Sequence, residues 1–460
     1  MASWILVLFI LSCSSAELLA QRITYESLRM RDRQPNVFFE HLVLPDPASD
    51  NKNLYTIFRI ENNFLSYRRY RDTDSPEDQR RFYAEPTVRL TIRRSDSGES
   101  ASQGSPDAIR TWNETIYAET FEQAQSTTSF VQNMIRTSLA PGKYDIESTT
   151  SSENRSRRGR ASGFQVADTS NSEIAYFYFL DTPSELSAPF EAPLMNMGRN
   201  VAFGRDHQLA IWIPDINEQA DYRLEIDQLR IRRQDTTNVD RVFEYTLDND
   251  HMVAGYSADI RQINDRPHFE LVSSVDAPAP EQYYLLHIPN STFENAHYRM
   301  KLIKKSGNGE ESGLAERVYQ SLWLDMPVSL LNLDVAINMM EYILDDETFR
   351  AMRRGSRSER EQRFRDFWKE RDPSPDREYN ELMVEYFRRI DYAYENFTTP
   401  QSPGYESDQG RVYIRNGEPN RRERNFPPNQ PAREIWHYSD RTFVFEATTG
   451  FGDYRLIERR

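Results

Sequence analysis

The chain has 460 residues, too many for one compact core and enough for about three domains of ordinary size. Only 38% of its residues are apolar, but Tyr and Phe number 25 each, and large rings supply core area where aliphatics are sparse. The 72 carboxylates against 57 Lys and Arg leave a formal charge of -15, a sign that repels phosphate backbones and excludes nucleic acid as the expected partner.

Residues 4–11 (WILVLFIL) form an unbroken apolar run followed by small residues and Glu17. Eight helical residues rise about 12 Å, far short of a hydrocarbon core of roughly 30 Å. The run therefore predicts the h-region of an export signal spanning 1–21, although Met1, Ala2 and Ser3 lack the usual basic residue. The sole cysteine, Cys13, follows Ile10, Leu11 and Ser12 in a pattern that resembles a lipobox, in which Cys13 becomes the acylated first residue. Cleavage after Ala16 or Ala20, giving a free exported product, is the rival reading, and a buried cytosolic Cys13 the third. A single cysteine excludes an intrachain disulfide and a thiolate zinc site.

From Leu54 the apolar period is two. Residues 54–60 (LYTIFRI) and 87–94 (TVRLTIRR) alternate, which predicts strands with one face inward. Residues 95–107 are a polar breaker, and 109–120 read as a further strand with Trp112 and Tyr117 as core rings. Pro141 and Gly142 then make a turn before a strand holding Tyr144 and Ile146, and a polar tip at 148–162 leads to a last strand near Phe164 and Val166. This ending suits an immunoglobulin-like sandwich. It recurs: residues 293–302 (FENAHYRMKL) place Tyr298 as Tyr144 is placed, before a Gly-rich tip at 306–313 and a strand at 317–324. Two tandem β-sandwiches are expected, at 22–170 and 171–327. The aromatic run 174–180 (IAYFYFL) should be buried on both faces or at the module junction. The basic clusters 155–160 (RSRRGR) and 421–424 (RRER) carry no interleaved aromatics and read as solvated loops.

After Pro327 the period becomes helical. Leu330, Leu331, Ile337, Met340, Ile343 and Leu344 share one spacing, and Phe364, Phe367 and Trp368 another. The clearest helix is 377–397, expected to start at Ser374 as N-cap with Pro375 in its first turn. Short strands are predicted at 411–414, 433–438, 442–446 and 454–457, with turns at 416–419 and 449–450. Residues 328–460 are thus an α+β domain, helices first and then a small antiparallel sheet, behind two mainly β modules.

Those last residues carry a resemblance. The segments 367–375 (FWKERDPSP), 404–414 (GYESDQGRVYI), 417–420 (GEPN), 434–436 (EIW) and 450–456 (GFGDYRL) resemble, in order, the GWxTD domain. The resemblance implies an exported protein of a Gram-negative envelope, often with sandwiches upstream and with undefined activity. Tyr405 stands where the family has Trp and Ser407 where it has Thr, so ring and hydroxyl are both kept. The matching positions are Gly404, Tyr405, Ser407, Asp408, Arg411, Glu418, Trp436, Gly452 and Asp453, with Arg433 as a further polar residue. Two facing carboxylates among them could serve a hydrolase as acid and base. The plainer reading has Asp408 capping a turn, Gly404 and Gly410 supplying positive φ, and Arg411 paired with a carboxylate.

No GxSxG, HExxH, Walker or Rossmann motif occurs, and the seven histidines are scattered, so no cofactor and no metal is expected. Two functions remain in view. One is a non-enzymatic envelope protein, lipid-anchored through Cys13 or free, that binds a protein partner or assembles. The other is an envelope protein that binds or cleaves polysaccharide, stacking sugars on exposed rings. The lack of an assembled catalytic motif favours the first.

Overall fold

The computed structural model describes residues 23–32, 37–46, 49–69, 81–95, 105–168, 174–182, 190–213, 216, 220–232, 235–273, 281–426, 428, 430–448 and 453–459. The expected export segment with Cys13, the turn at 449–450 and Gly452 lie outside them. The described chain forms two compact units. One comprises Gln34–Met326 with Asp366–Glu385; the other comprises Pro327–Arg365, Tyr386–Arg460 and the described end of Met1–Arg33.

The first unit is built from two immunoglobulin-like sandwiches. In the first, one sheet runs Arg155–Val166, Gly142–Ser152, Thr87–Arg94, Ala108–Asn113, and faces a sheet of Val37–Pro45, Lys52–Glu61 and Phe130–Leu139. Val88, Leu90, Ile92, Tyr144 and Ile146 from one meet Leu54, Phe58, Ile60 and Leu139 from the other. In the second sandwich a six-stranded sheet, with Tyr176–Asp181 at one edge and His207–Trp212 beside it, faces a five-stranded sheet that includes Asp221–Arg232, His297–Lys305 and Glu311–Leu322. Phe177, Phe179, Leu209 and Ile211 fill its core with Leu224, Tyr298, Met300 and Tyr319.

Both sandwiches end in the same device. The Tyr144 hydroxyl donates to the Ala140 carbonyl at 2.8 Å, and the Tyr298 hydroxyl donates to the Glu294 carbonyl at 2.8 Å. Each tyrosine is buried near the start of the first strand of a long hairpin. This is the tyrosine corner of immunoglobulin-like domains, so the repeat read from the two sequences is a repeat of structure.

A third core joins the sandwiches. Leu42, Leu44, Tyr55 and Ile57 pack against Tyr178, Leu180, Trp212, Phe269, Leu271 and Tyr283, giving four sheets in a stack. Tyr178 donates to the Val43 carbonyl at 2.6 Å, and Tyr55 to Asp259 at 2.6 Å, so each buried hydroxyl has an acceptor. Each large side chain enclosed there contributes roughly 1.5–3 kcal/mol. The run 174–180 is accordingly buried on both faces: Phe177 and Phe179 point to one core, Tyr178 and Leu180 to the other. The strand Lys52–Glu61 corrects its one-faced reading, because as a middle layer it is enclosed on both sides.

Other local expectations give way for identifiable reasons. The basic cluster 155–160 is no loop; it pairs with 147–152 as an edge strand, where charged side chains are tolerated and block further pairing. Residues 421–424 likewise lie in the edge strand Arg421–Asn425. Tyr117 is exposed rather than a core ring, whereas Trp112 is half-buried with its ring centroid 4.9 Å from that of Phe58.

In the second unit the helices Leu333–Met339 and Asp346–Met352 start at Asn332 and Asp345, whose side chains accept backbone N–H groups. The long helix Glu381–Phe397 crosses from one unit into the other. It starts at Asn380, whose Oδ1 accepts from Met383 N at 2.9 Å, and not at Ser374. The predicted strand 411–414 is instead part of the helix Asp408–Asn416. A four-strand meander closes the chain: Arg421–Asn425, Arg433–His437, Thr442–Ala447 and Tyr454–Arg459. Residues 25–32, which the expected boundary 22–170 put in the first sandwich, form the short helix Tyr25–Asp32 of this second unit. Among the described residues no helix is long and apolar enough to cross a membrane.

Candidate functional site

The 404–414 segment is a tightly drawn turn feeding a helix. Gly404 begins a 3-10 turn, and a Cβ there would sit 1.9 Å from the Ala393 carbonyl oxygen. A Cβ on Gly410 would sit 1.8 Å from the Gly404 oxygen. Neither glycine has positive φ, so they are required for close backbone approach and not for turn dihedrals. Ser407 caps the helix: its Oγ accepts from Gly410 N at 3.0 Å and donates to the Gly404 carbonyl at 2.7 Å. Gly417, with φ +77°, closes the other end by donating its N–H to the Tyr413 carbonyl at 2.7 Å. These caps explain why residues 411–414 are helical despite their strand-like alternation.

Asp408 follows the cap and does not itself serve as one. Its Oδ2 accepts from Leu456 N at 2.8 Å, fastening the last strand to the helix. Asp453 accepts from the Thr448 hydroxyl at 2.9 Å. Trp436 is fully buried, and its indole N–H donates to Glu434 at 2.7 Å, while Glu434 also meets Arg424 at 3.2 Å. Around Trp436 lie Phe397, Tyr413 and Phe445, and the Arg422 guanidinium stands 4.9 Å from its ring centroid. Arg433 pairs with Glu446 at 2.9 Å. Arg411 and Glu418 are exposed, and among the described residues Arg411 forms no ion pair, against expectation.

Tyr405 does what the sequence reading missed. Its hydroxyl donates to Glu26, and its ring lies 5.4 Å from Tyr25 and 6.1 Å from Tyr394. Tyr25 donates to Asp391 Oδ1 at 2.7 Å, and Val328 N donates to Asp391 Oδ2 at 3.0 Å. Arg29 pairs with Glu395 on the same helix. The name-giving aromatic position thus holds the N-terminal helix through a knot of three tyrosines. Burial pushes the Asp391 carboxyl up to about 6, opposed by the hydrogen bonds from Tyr25 and Val328. Only the acid in the apolar stripe of the long helix hinted at this, since nothing in 25–29 alone marks a docking segment.

Tyr405, Ser407, Asp408, Trp436 and Asp453 thus bond backbone and neighbouring side chains, whereas Arg411 and Glu418 face solvent. Among the described residues, no three His, Cys, Asp or Glu are placed to hold a metal ion. Residues 329–456 match the family model of the GWxTD domain. The chain carries a GWxTD domain. None of the curated proteins matches it. Among solved structures, the purple acid phosphatase from yellow lupin (Lupinus luteus) seeds is 8% identical with a TM-score of 0.17; the match covers 63% of this chain and 42% of the phosphatase. The collagen adhesin of S. aureus is 10% identical with a TM-score of 0.14, covering 62% of this chain and 91% of the adhesin. The collagen-binding domain of an Erysipelothrix rhusiopathiae surface protein is 8% identical with a TM-score of 0.13, covering 62% and 94%. Likenesses this distant carry no argument about activity.

Proposed function

We propose that this chain is an exported, non-enzymatic cell-envelope protein whose GWxTD domain serves as a protein-interaction or assembly module. Its attachment would be an acylated Cys13 or, failing that, none, with the mature product free in the periplasm. The observation that carries the reading is the Asp408 contact. This motif carboxylate, a candidate acid or base, accepts a backbone N–H from Leu456. Tyr405, Ser407 and Trp436 are engaged in the same way, on Glu26, Gly404 and Gly410, and Glu434. A scaffold that fastens its signature residues internally offers a shaped surface more readily than a reacting group.

Asp408→Asn tests this, because an amide oxygen can still accept from Leu456 N. The expected result is a melting temperature close to wild type and unchanged capture of envelope protein partners. Loss of function at an unchanged melting temperature would mean the carboxylate itself reacts, and would overturn the proposal. The mass of the native N-terminal peptide decides the anchor: an acylated Cys13 supports it, and a mature end downstream of Cys13 removes it.

A further inference from the structure

The strand Lys52–Glu61 sends Tyr55 and Ile57 into the core between the two sandwiches. Arg59 is next on that face, where the pattern calls for an apolar residue. Its guanidinium stacks on Phe130, 3.4 Å from the ring centroid, and its Nε is enclosed without a hydrogen-bond partner. Among the described residues no carboxylate lies within ion-pair distance of it. Burial, and next the neighbouring Arg266, push its pKa down to about 10 against the weaker attraction of Glu61 and Asp181. A half-buried cation with no carboxylate in direct contact is costly unless something supplies the anion.

Arg59 lines a cavity of about 680 Å³ within the sandwich unit, a size usual for small-molecule sites. Arg205 and Arg266 also line it, and both reach Asp181, at 3.5 and 3.3 Å. Three guanidiniums thus gather around one carboxylate, a local excess of two positive charges in a protein whose formal charge is -15. The remaining charges of the lining, Arg377, Asp325 and Glu381, leave the whole cavity still positive by one.

Another part of the wall is aromatic. Phe203 and Trp323 stand 5.0 Å apart by ring centroids, and Tyr379 lies 5.5 Å from Trp323 and 6.1 Å from Phe203. Gly204 makes the cluster possible: its φ is +74°, and a Cβ there would come within 2.6 Å of the Tyr379 Cβ. The Trp323 indole N–H is enclosed and has no protein acceptor.

We infer that this cavity binds a compact organic anion, a carboxylate or phosphate borne on a ring, with the charge held by Arg59, Arg205 and Arg266 and the ring against Phe203, Trp323 and Tyr379. The guanidinium fork matches both kinds of anion bidentately, and the three mutually tilted rings supply the apolar surface against which a sugar or aromatic ring can pack. None of its lining residues belongs to the 404–414 segment, so it stands or falls independently of the assembly role.

Calorimetric titration of the full-length protein with D-glucuronate, glucose 1-phosphate, inorganic phosphate and D-glucose tests the inference. Saturable binding is expected for at least one of the two ring-borne anions, with the tighter of the pair identifying the charged group. Inorganic phosphate should bind more weakly than that ligand, and neutral glucose not at all. Arg59→Met should weaken binding at least about tenfold, as loss of a charge-assisted bond does, and raise the melting temperature of the ligand-free protein by removing a desolvated cation crowded by Arg266. Arg205→Ala, at an exposed position, should weaken binding without changing that temperature. Failure of every anion to bind, equal binding by Arg59→Met, or a lowered ligand-free melting temperature in that variant would each overturn it.

Discussion

Acid should loosen the sandwich unit through one histidine. His207 is fully buried, with both ring nitrogens unpartnered and its ring 5.5 Å from that of Phe179. Burial is the main cause that pushes its pKa from the ordinary 6.5 down to about 3, with Asp206 and Asp181 opposing and His287 assisting. The folded pKa lies below the unfolded one, so the unfolded chain binds the extra proton. Stability is therefore intact above about pH 6.5 and is lost as pH falls through the window down to about 3. At about pH 5 the two values give a loss of about 2 kcal/mol relative to neutral pH, growing by about 1.4 kcal/mol for each further unit. His41, pushed down to about 4 chiefly by burial, acts with the same sign. Urea unfolding of the full-length protein at about pH 5 and 7.5, followed by tryptophan fluorescence, reads the effect. His207→Leu removes two unsatisfied nitrogens, so it should match or exceed wild type at neutral pH and lose about 2 kcal/mol less at about pH 5. A wild-type profile that is flat between these pH values, or a His207→Leu protein as acid-sensitive as wild type, would refute the reasoning.

Asp391 should behave in the opposite sense. Its folded pKa of about 6 lies above the ordinary 3.8, so its share of stability is present in acid and falls by about 3 kcal/mol as pH rises through that window; Asp391→Asn should flatten melting profiles there. Gly404→Ala forces a Cβ onto the Ala393 carbonyl and should destabilise the GWxTD domain by several kcal/mol, whereas Ser407→Ala removes one cap and should cost about 1 kcal/mol, both read by thermal melting. Tyr144→Phe and Tyr298→Phe each remove one corner bond and should cost about 1 kcal/mol or somewhat more, with equal losses expected because the two corners share one geometry.

Much of the architecture was legible because it rests on local chemistry. The two Tyr-bearing hairpins were visible from turn residues and spacing, since a tyrosine corner is closed within five residues. The run at 174–180 declares its double burial through aromatic density. What the sequence concealed depends on distant partners. Alternation in 54–60 looked one-faced because nothing local reveals a second sheet against the other side. Residues 411–414 alternate as a strand does, and only the caps at Ser407 and Gly417 decide for helix. Tyr405 could be recognised as a ring position, but its partner Glu26 lies 379 residues away. Arg59 is illegible in the sequence for the same reason. A single charged residue in a strand pattern looks solvated until the opposing sandwich encloses it.

The assembly role is tested most directly by cross-linking the full-length protein in intact cell envelopes and mapping the linked peptides. The account predicts a protein partner joined through residues within 329–456, retained in Asp408→Asn. Recovery of glycan with no protein partner, or glycan turnover abolished by Asp408→Asn, would contradict it.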